Sequence, residues 1–149
     1  MRSVLSTPVG GVEVIEDSGT LRSVHFRPRA RPTPRRGPLA RLLADYLKGR
    51  PVDFSRVPVD LAGFTAFERR VLEATRDIPR GEVRTYGEVA QATGRPRAAR
   101  AVGNALNKNS ACIVIPCHRV VASGGLGGFG GGLHVKRYLL ELEGARSAL

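Results

Sequence analysis

The sequence predicts a mixed α/β fold in two halves: a small antiparallel sheet with one helix, then a mainly helical half. Three observations carry that prediction. The chain opens on short β-branched runs separated by Gly, Pro and Asp turns. Its middle carries two Thr-x-x-Glu motifs, each heading a helical pattern. A last run of helically spaced apolar residues follows a glycine-rich stretch. At 149 residues the chain suits one domain, or two small ones sharing an interface. The expected division is residues 1–60, an α/β unit, and residues 61–149.

Each element follows in order. Val4-Leu5-Ser6-Thr7, Gly11-Val12-Glu13-Val14-Ile15 and Leu21-Arg22-Ser23-Val24-His25-Phe26 read as three strands. Pro8-Val9-Gly10 and Asp17-Ser18-Gly19-Thr20 punctuate them into an antiparallel meander. Residues 27–38 (RPRARPTPRRGP) can continue neither strand nor helix and read as a mobile surface loop, able to touch phosphates or simply solvated. Leu39 to Lys48 has apolar residues at helical spacing and stops at Gly49. Pro51 to Leu61 reads as a linker. Thr65-x-x-Glu68 is a capping box, and Phe67, Val71, Ala74 and Ile78 then share one helix face. Pro79-Arg80-Gly81 ends that helix. Thr85-x-x-Glu88 caps a short helix through about Ala92, and Gly94-Arg95-Pro96 is a tight turn. Pro96 can open the next helix, predicted from Pro96 to Asn107. Ser123 to Gly132 is a glycine-rich loop without the flanking pattern of a nucleotide-phosphate cradle. Leu133 to Glu143 is the final helix, with Val135, Leu139 and Leu142 as its buried stripe and Gly144 as its stop. Glu143 can then face partly inward.

Composition bounds the chemistry. Hydrophobic residues make up 42%, enough for a core. Lys and Arg number 24 against 13 acids, a net charge of +11. That excess fits a nucleic-acid partner, or a surface kept soluble by arginine. Both halves carry it, so a basic tail is not the explanation. Two cysteines, Cys112 and Cys117, make no disulfide framework and are too few for a structural zinc site. A reducing, cytoplasmic setting is expected. No apolar run approaches membrane-spanning length, and Met1-Arg2-Ser3-Val4 does not begin a signal peptide.

Two features carry candidate chemistry. Ile115-Pro116-Cys117-His118-Arg119-Val120-Val121 sets a thiol in a short, mostly buried run. His118 and Arg119 beside it can lower a thiol pKa and make a thiolate nucleophile, although a buried cysteine is usually a small hydrophobe. The two short helices around Gly94 form a helix-turn-helix pattern. The second is thin, with Ala98, Ala99, Ala101, Gly103 and Ala105, and Arg95, Arg97 and Arg100 stud its start. Such a helix can press close to phosphates, or pack through its small residues.

Together these residues resemble the O6-alkylguanine-DNA alkyltransferases, the methylated-DNA–protein-cysteine methyltransferases. The resemblance covers about Thr65 to Gly144, with Pro116-Cys117-His118-Arg119-Val120 as the family's signature. The first sixty residues match only in strand pattern and the Thr7-Pro8-x-Gly10 turn. Lesion-binding relatives that do not repair have tryptophan where this chain has Cys117, so the thiol argues for the repairing branch.

The resemblance implies a ribonuclease H-like N-terminal domain and a winged-helix-like C-terminal domain that binds DNA and accepts the alkyl group. It implies irreversible transfer from guanine O6, with thymine O4 as a second position, to Cys117, once per molecule. His118 would act as base through a water, and Glu143 would orient it. Asn109 would brace the turn before the thiol. Arg100 would fill the gap left by a flipped base, and Tyr86 would help rotate the nucleotide out and donate near O6. Arg95, Arg97, Ala98 and Ala99 would line the DNA. Pro116, Val120, Phe129, Gly130 and Gly131 would form the pocket. Entry through the minor groove, a monomer, no cofactor, no membrane and no metal complete the expectation. Whether copies bind cooperatively stays open. Phe129 replaces the usual tyrosine and Tyr138 the usual tryptophan. The first half has only His25 and no cysteine to hold the zinc some relatives carry. Two other classes remain: a helix-turn-helix binder or regulator that needs no thiol, and a cysteine hydrolase that releases its product.

Overall fold

The structure, a computed structural model, describes residues 1–145. The chain divides into two compact units. Unit 1 is Met1–Asp60 with Ser110–Val114, and unit 2 is Leu61–Asn109 with the described residues from Ile115 to Ala145.

In unit 1, strands β1 (Arg2–Thr7), β2 (Gly10–Asp17) and β3 (Thr20–Arg27) form an antiparallel sheet in sequence order. Leu5 faces Val12 and Val14 faces Val24 in register, and all four are buried. Helix α1 (Pro38–Leu47) covers the sheet with Leu39, Ala40, Leu43 and Tyr46. It has no side-chain cap of its own. Instead the buried carboxylate of Glu16 accepts the N–H groups of Leu39 and Ala40, each at 3.0 Å. Gly37 is required there, because a Cβ would lie 2.3 Å from the Glu16 carboxyl carbon.

Two expectations for this unit need correction. Residues 27–38 are fastened rather than loose. Thr33 donates its N–H to Val4 O and accepts the Val4 N–H at Oγ1, and Gly37 N–H donates to Ser3 Oγ. Pro51 to Leu61 is not a bare linker. Phe54 and Val57 are buried, Phe54 meets the Tyr46 ring edge-on at 5.8 Å, and Val59 bridges to Leu21. In both cases the partners lie too far away in sequence for local composition to reveal them.

Ser110–Val114 adds to the open edge of the same sheet, where Val24 N–H donates to Ser110 O and Val24 pairs with Ala111. A three-residue turn follows, closed by Val114 N–H to Cys112 O at 2.9 Å around Ile113, whose φ is 74°. Cys112 is therefore a half-buried turn residue.

In unit 2, α2 (Ala66–Arg76) and α3 (Tyr86–Ala92) both start on complete capping boxes, from Thr65 and Thr85. Helix α4 spans Ala99–Asn107 and α5 Leu133–Leu142. A short parallel pair, β4 (Arg84–Thr85) with β5 (Val120–Val121), ties the start of α3 to the thiol segment. Val71, Leu72, Val89, Val102, Leu139 and Leu140 are among the residues that fill the core.

The start of α4 differs from the sequence prediction by three residues. Gly94 takes φ 81°, and the N–H groups of Gly94 and Arg95 close the end of α3 onto Gln91 O and Ala90 O. Arg95 is thereby committed to the preceding helix. One more turn, Ala98 N–H to Arg95 O, is needed before α4 begins. In α5, Leu142 is only half-buried, and Lys136 and Leu140 take the inner positions instead. Among the described residues no helix is long and apolar enough to cross a membrane.

Candidate active site

The thiol segment is not extended. Pro116 sits at φ −81°, ψ 66°, and Cys117 N–H donates to Ile115 O at 2.8 Å, an inverse γ-turn. Cys117–Arg119 then forms one turn of 3-10 helix. The side chains therefore do not alternate as they would along a strand, because proline folds the chain before the thiol. The buried Asn109 amide donates to Ile115 O at 3.0 Å, bracing the first of these turns.

His118 is fully buried, and its Nε2 lies 2.8 Å from Glu143 Oε2. Arg119 grips the same carboxylate with Nε on Oε1 and an Nη on Oε2, both at 2.8 Å, and reaches Ile78 O with its other Nη. Burial alone would raise the Glu143 pKa. The hydrogen bonds and charges of His118 and Arg119 outweigh burial and hold the carboxyl well below its usual range. Burial pushes the His118 pKa down, and Arg119 and Lys136 add to that against the pull of Glu143. The imidazole is therefore neutral at pH 7. With an ionised acceptor at Nε2, the proton sits on Nε2, which leaves the Nδ1 lone pair as an acceptor. Nδ1 is buried, and among the described residues it has no hydrogen-bond partner.

Cys117, Tyr86, Gly103, Leu106, Gly128, Phe129 and Gly130 are among the residues enclosing a space of about 30 Å³. The Tyr86 phenol is pushed up by burial, against a backbone hydrogen bond with Gly128, and stays protonated at neutral pH. Gly127 has φ 74°, and a Cβ there would lie 2.7 Å from Tyr86 Oη, so the glycine-rich loop can pass the phenol only without a side chain.

Lys136 is the residue that reading the sequence missed. Its side chain is fully buried, and Nζ donates to Val120 O at 2.7 Å and Gly128 O at 3.0 Å. Nζ also lies 5.9 Å from the Tyr86 ring centroid. Burial lowers its pKa to about 8, against the opposing pull of Cys117. The signal was a lysine beside Val135 on the inner stripe of an amphipathic helix. Arg119 was noted only as a charge beside the thiol, and its two-oxygen hold on Glu143 needed the fold.

The other residues singled out fall in two places. Of the residues expected to form the pocket, Phe129 and Gly130 enclose the small space, while the buried Pro116 and Val120 and the half-buried Gly131 do not. Arg95, Arg97 and Ala98 line an open surface depression with Pro96, and the Arg95 guanidinium stacks 4.9 Å from the Phe67 centroid. Arg100 is exposed in the first turn of α4, beside the half-buried Ala99. Among the described residues no three His, Cys, Asp or Glu side chains gather as a metal site.

Comparison with known proteins gives the family. Residues 66–145 match the family model of the 6-O-methylguanine DNA methyltransferase DNA-binding domain. A methylated-DNA–protein-cysteine methyltransferase of Methanopyrus kandleri is 52% identical over 108 residues, covering 72% of this chain and 79% of that protein. The Mycobacterium bovis protein of the same name is 52% identical over 103 residues, covering 68% of this chain but only 61% of its own length. The crystal structure of the Mycobacterium tuberculosis O6-methylguanine methyltransferase superposes with a TM-score of 0.83 at 37% identity, covering 97% of this chain and 93% of that one. The M. tuberculosis protein has also been solved in complex with DNA, at 38% identity, a TM-score of 0.83 and the same coverage.

Proposed function

The chain belongs to the O6-methylguanine-DNA methyltransferase family, and we propose that it repairs alkylated DNA by moving the alkyl group from guanine O6 to Cys117. One observation carries this reading: the buried His118–Glu143 pair leaves an acceptor lone pair at Nδ1, one residue from the signature thiol. A water would join Nδ1 to the Cys117 Sγ–H and pass the proton to the imidazole. Glu143, kept anionic by Arg119, balances the imidazolium that forms. The thiolate attacks the alkyl carbon. The S–C bond forms, the C–O6 bond breaks, and its electron pair stays on the base. Guanine then takes up one proton at N1, balanced by the one the imidazolium returns to solvent, while the Tyr86 hydroxyl keeps its proton and donates a hydrogen bond near O6. The thioether is a poor leaving group, so each molecule reacts once. O4-alkylthymine offers the same leaving oxygen.

The target base must leave the helix to reach a buried thiol. A space of about 30 Å³ is far below the roughly 300 Å³ of the smallest typical ligand sites, so the 123–132 loop has to open around the base. Phe129 would stack on it. Arg100 would occupy the vacated position in the duplex, and Arg95, Arg97, Ala98 and Ala99 would lie along the backbone of a minor groove. We read unit 1 as ribonuclease H-like and unit 2 as winged-helix-like. The protein would act as a cytoplasmic monomer without cofactor, whether or not copies cooperate on DNA.

The test is intact-protein mass spectrometry after incubation with a duplex containing one O6-methylguanine. One methyl on Cys117, and no second, is the expected result. Repeated turnover of a small ester would favour a hydrolase. Lesion binding without any mass change would favour a binder.

A further inference from the structure

Unit 1 carries a charged surface that the alkyl-transfer reaction leaves unused. From Ser18 to Ala44 the chain contains no acid and seven arginines. One of them, Arg22, is neutralised by Asp60 and Asp17. Arg27 reaches Glu13 only at 3.6 Å. Arg29, Arg31, Arg35, Arg36 and Arg41 are all exposed, and none makes an ion pair among the described residues. The only buried acid nearby is Glu16, whose two oxygens are taken up by the first N–H groups of α1. The helix end is thus already satisfied, and the exposed positive charge of the loop is carried by its guanidinium groups.

These arginines stand on a fixed frame. Thr33 is tied to Val4 through two hydrogen bonds, Gly37 to Ser3, and Ala30 N–H closes onto Arg27 O. The loop also lies directly on the β1–β2 turn, where a Cβ at Gly10 would meet Pro28 Cα at 2.8 Å and one at Gly11 would meet Arg27 O at 2.8 Å. Four prolines among residues 27–38 remove further backbone freedom. Arg35, Arg36 and Arg41 border one open depression of about 760 Å³ beside Met1. A backbone already ordered spares the loop's own entropy on binding, and the unpaired guanidinium groups it carries repel every cation. A polyanion with regularly spaced charges is the ligand it fits.

We propose that the 27–38 loop with Arg41 is a second DNA-contacting surface, which grips duplex phosphates without reading bases. The inference rests on the DNA-repair reading above and deepens it by assigning unit 1 a share of the binding.

The test compares the whole protein with a variant in which Arg29, Arg31, Arg35 and Arg36 are all changed to Gln. Fluorescence anisotropy on an unmodified duplex gives the affinity from 50 to 200 mM salt, and a thermal melt checks folding. Each phosphate contact adds about 0.9 to the slope of log affinity against log salt. Loss of at least two contacts should lower the slope by about 2. The wild-type protein should then lose roughly tenfold more affinity than the variant over this range. Single-turnover alkyl transfer at saturating lesion DNA should be unchanged. An unchanged slope in a folded variant overturns the second surface while leaving the repair reading intact. A wild-type protein that neither binds the duplex nor takes up an alkyl group removes the repair reading, and this inference with it.

Discussion

Lys136→Met tests the buried ammonium directly. Burial takes the Lys136 pKa from 10.5 to about 8, which at about 1.4 kcal/mol per pH unit is a cost of roughly 3 kcal/mol to the charged native state. Methionine has a similar shape and removes that cost. It also removes two hydrogen bonds and leaves the carbonyls of Val120 and Gly128 without their donor, at about 1–3 kcal/mol each. These contributions oppose one another, so at pH 7 the net change in stability should be about 2 kcal/mol or less. The pH dependence does not cancel. Between pH 8 and 10.5 the unfolded chain keeps the lysine proton and the native protein has lost it. The unfolded state then binds more protons, so stability rises with pH. The wild type should therefore gain most of about 3 kcal/mol relative to the variant between pH 7 and 10. Urea unfolding at intervals across that range measures it, with both proteins in a Cys117→Ser background so that the neighbouring thiol does not titrate. A stability difference that stays flat with pH would refute the argument.

Three other outcomes are expected. Below pH about 6.5 the unfolded His118 takes up a proton that burial denies the native one, and below about 4.5 the same holds for Glu143. Stability should thus fall with acid, by up to about 1.4 kcal/mol per pH unit for each group, and His118→Gln should flatten urea midpoints between pH 7 and 5; equal slopes would contradict this. Tyr86→Phe should slow single-turnover transfer at saturating DNA by about a hundredfold with little change in DNA affinity, and an unchanged rate would exclude the phenol as donor. Gly127→Ala should cost at least about 1 kcal/mol through its positive φ and also slow transfer by displacing the Tyr86 hydroxyl. Thermal melts and single-turnover rates on that variant separate the two effects.

Much was legible in the chain because the signals are local. The meander of unit 1 is written in β-branched runs and turn residues. The capping boxes at Thr65 and Thr85 each complete within four residues, and both form as the spacing predicts. Cys117, His118 and Asn109 stand in one contiguous stretch. Their resemblance to a known family could be read directly, and the family match agrees with it. Glu143 could be expected to face inward from helical spacing alone.

What the sequence could not determine are the pairings between distant residues. Nothing near Lys136 announces that its ammonium will meet the carbonyls of Val120 and Gly128, sixteen and eight residues earlier. Nor does anything near Arg119 mark its two bonds to Glu143, twenty-four residues on. Local propensity also misjudged the thiol segment. Its valines and isoleucines favour a strand, but backbone hydrogen bonds around Pro116 fold it into successive turns. Local chemistry therefore determined which elements form and which residue types could react. The tertiary structure alone decided which buried charges meet, because burial and long-range hydrogen bonds exist only once the chain has closed on itself.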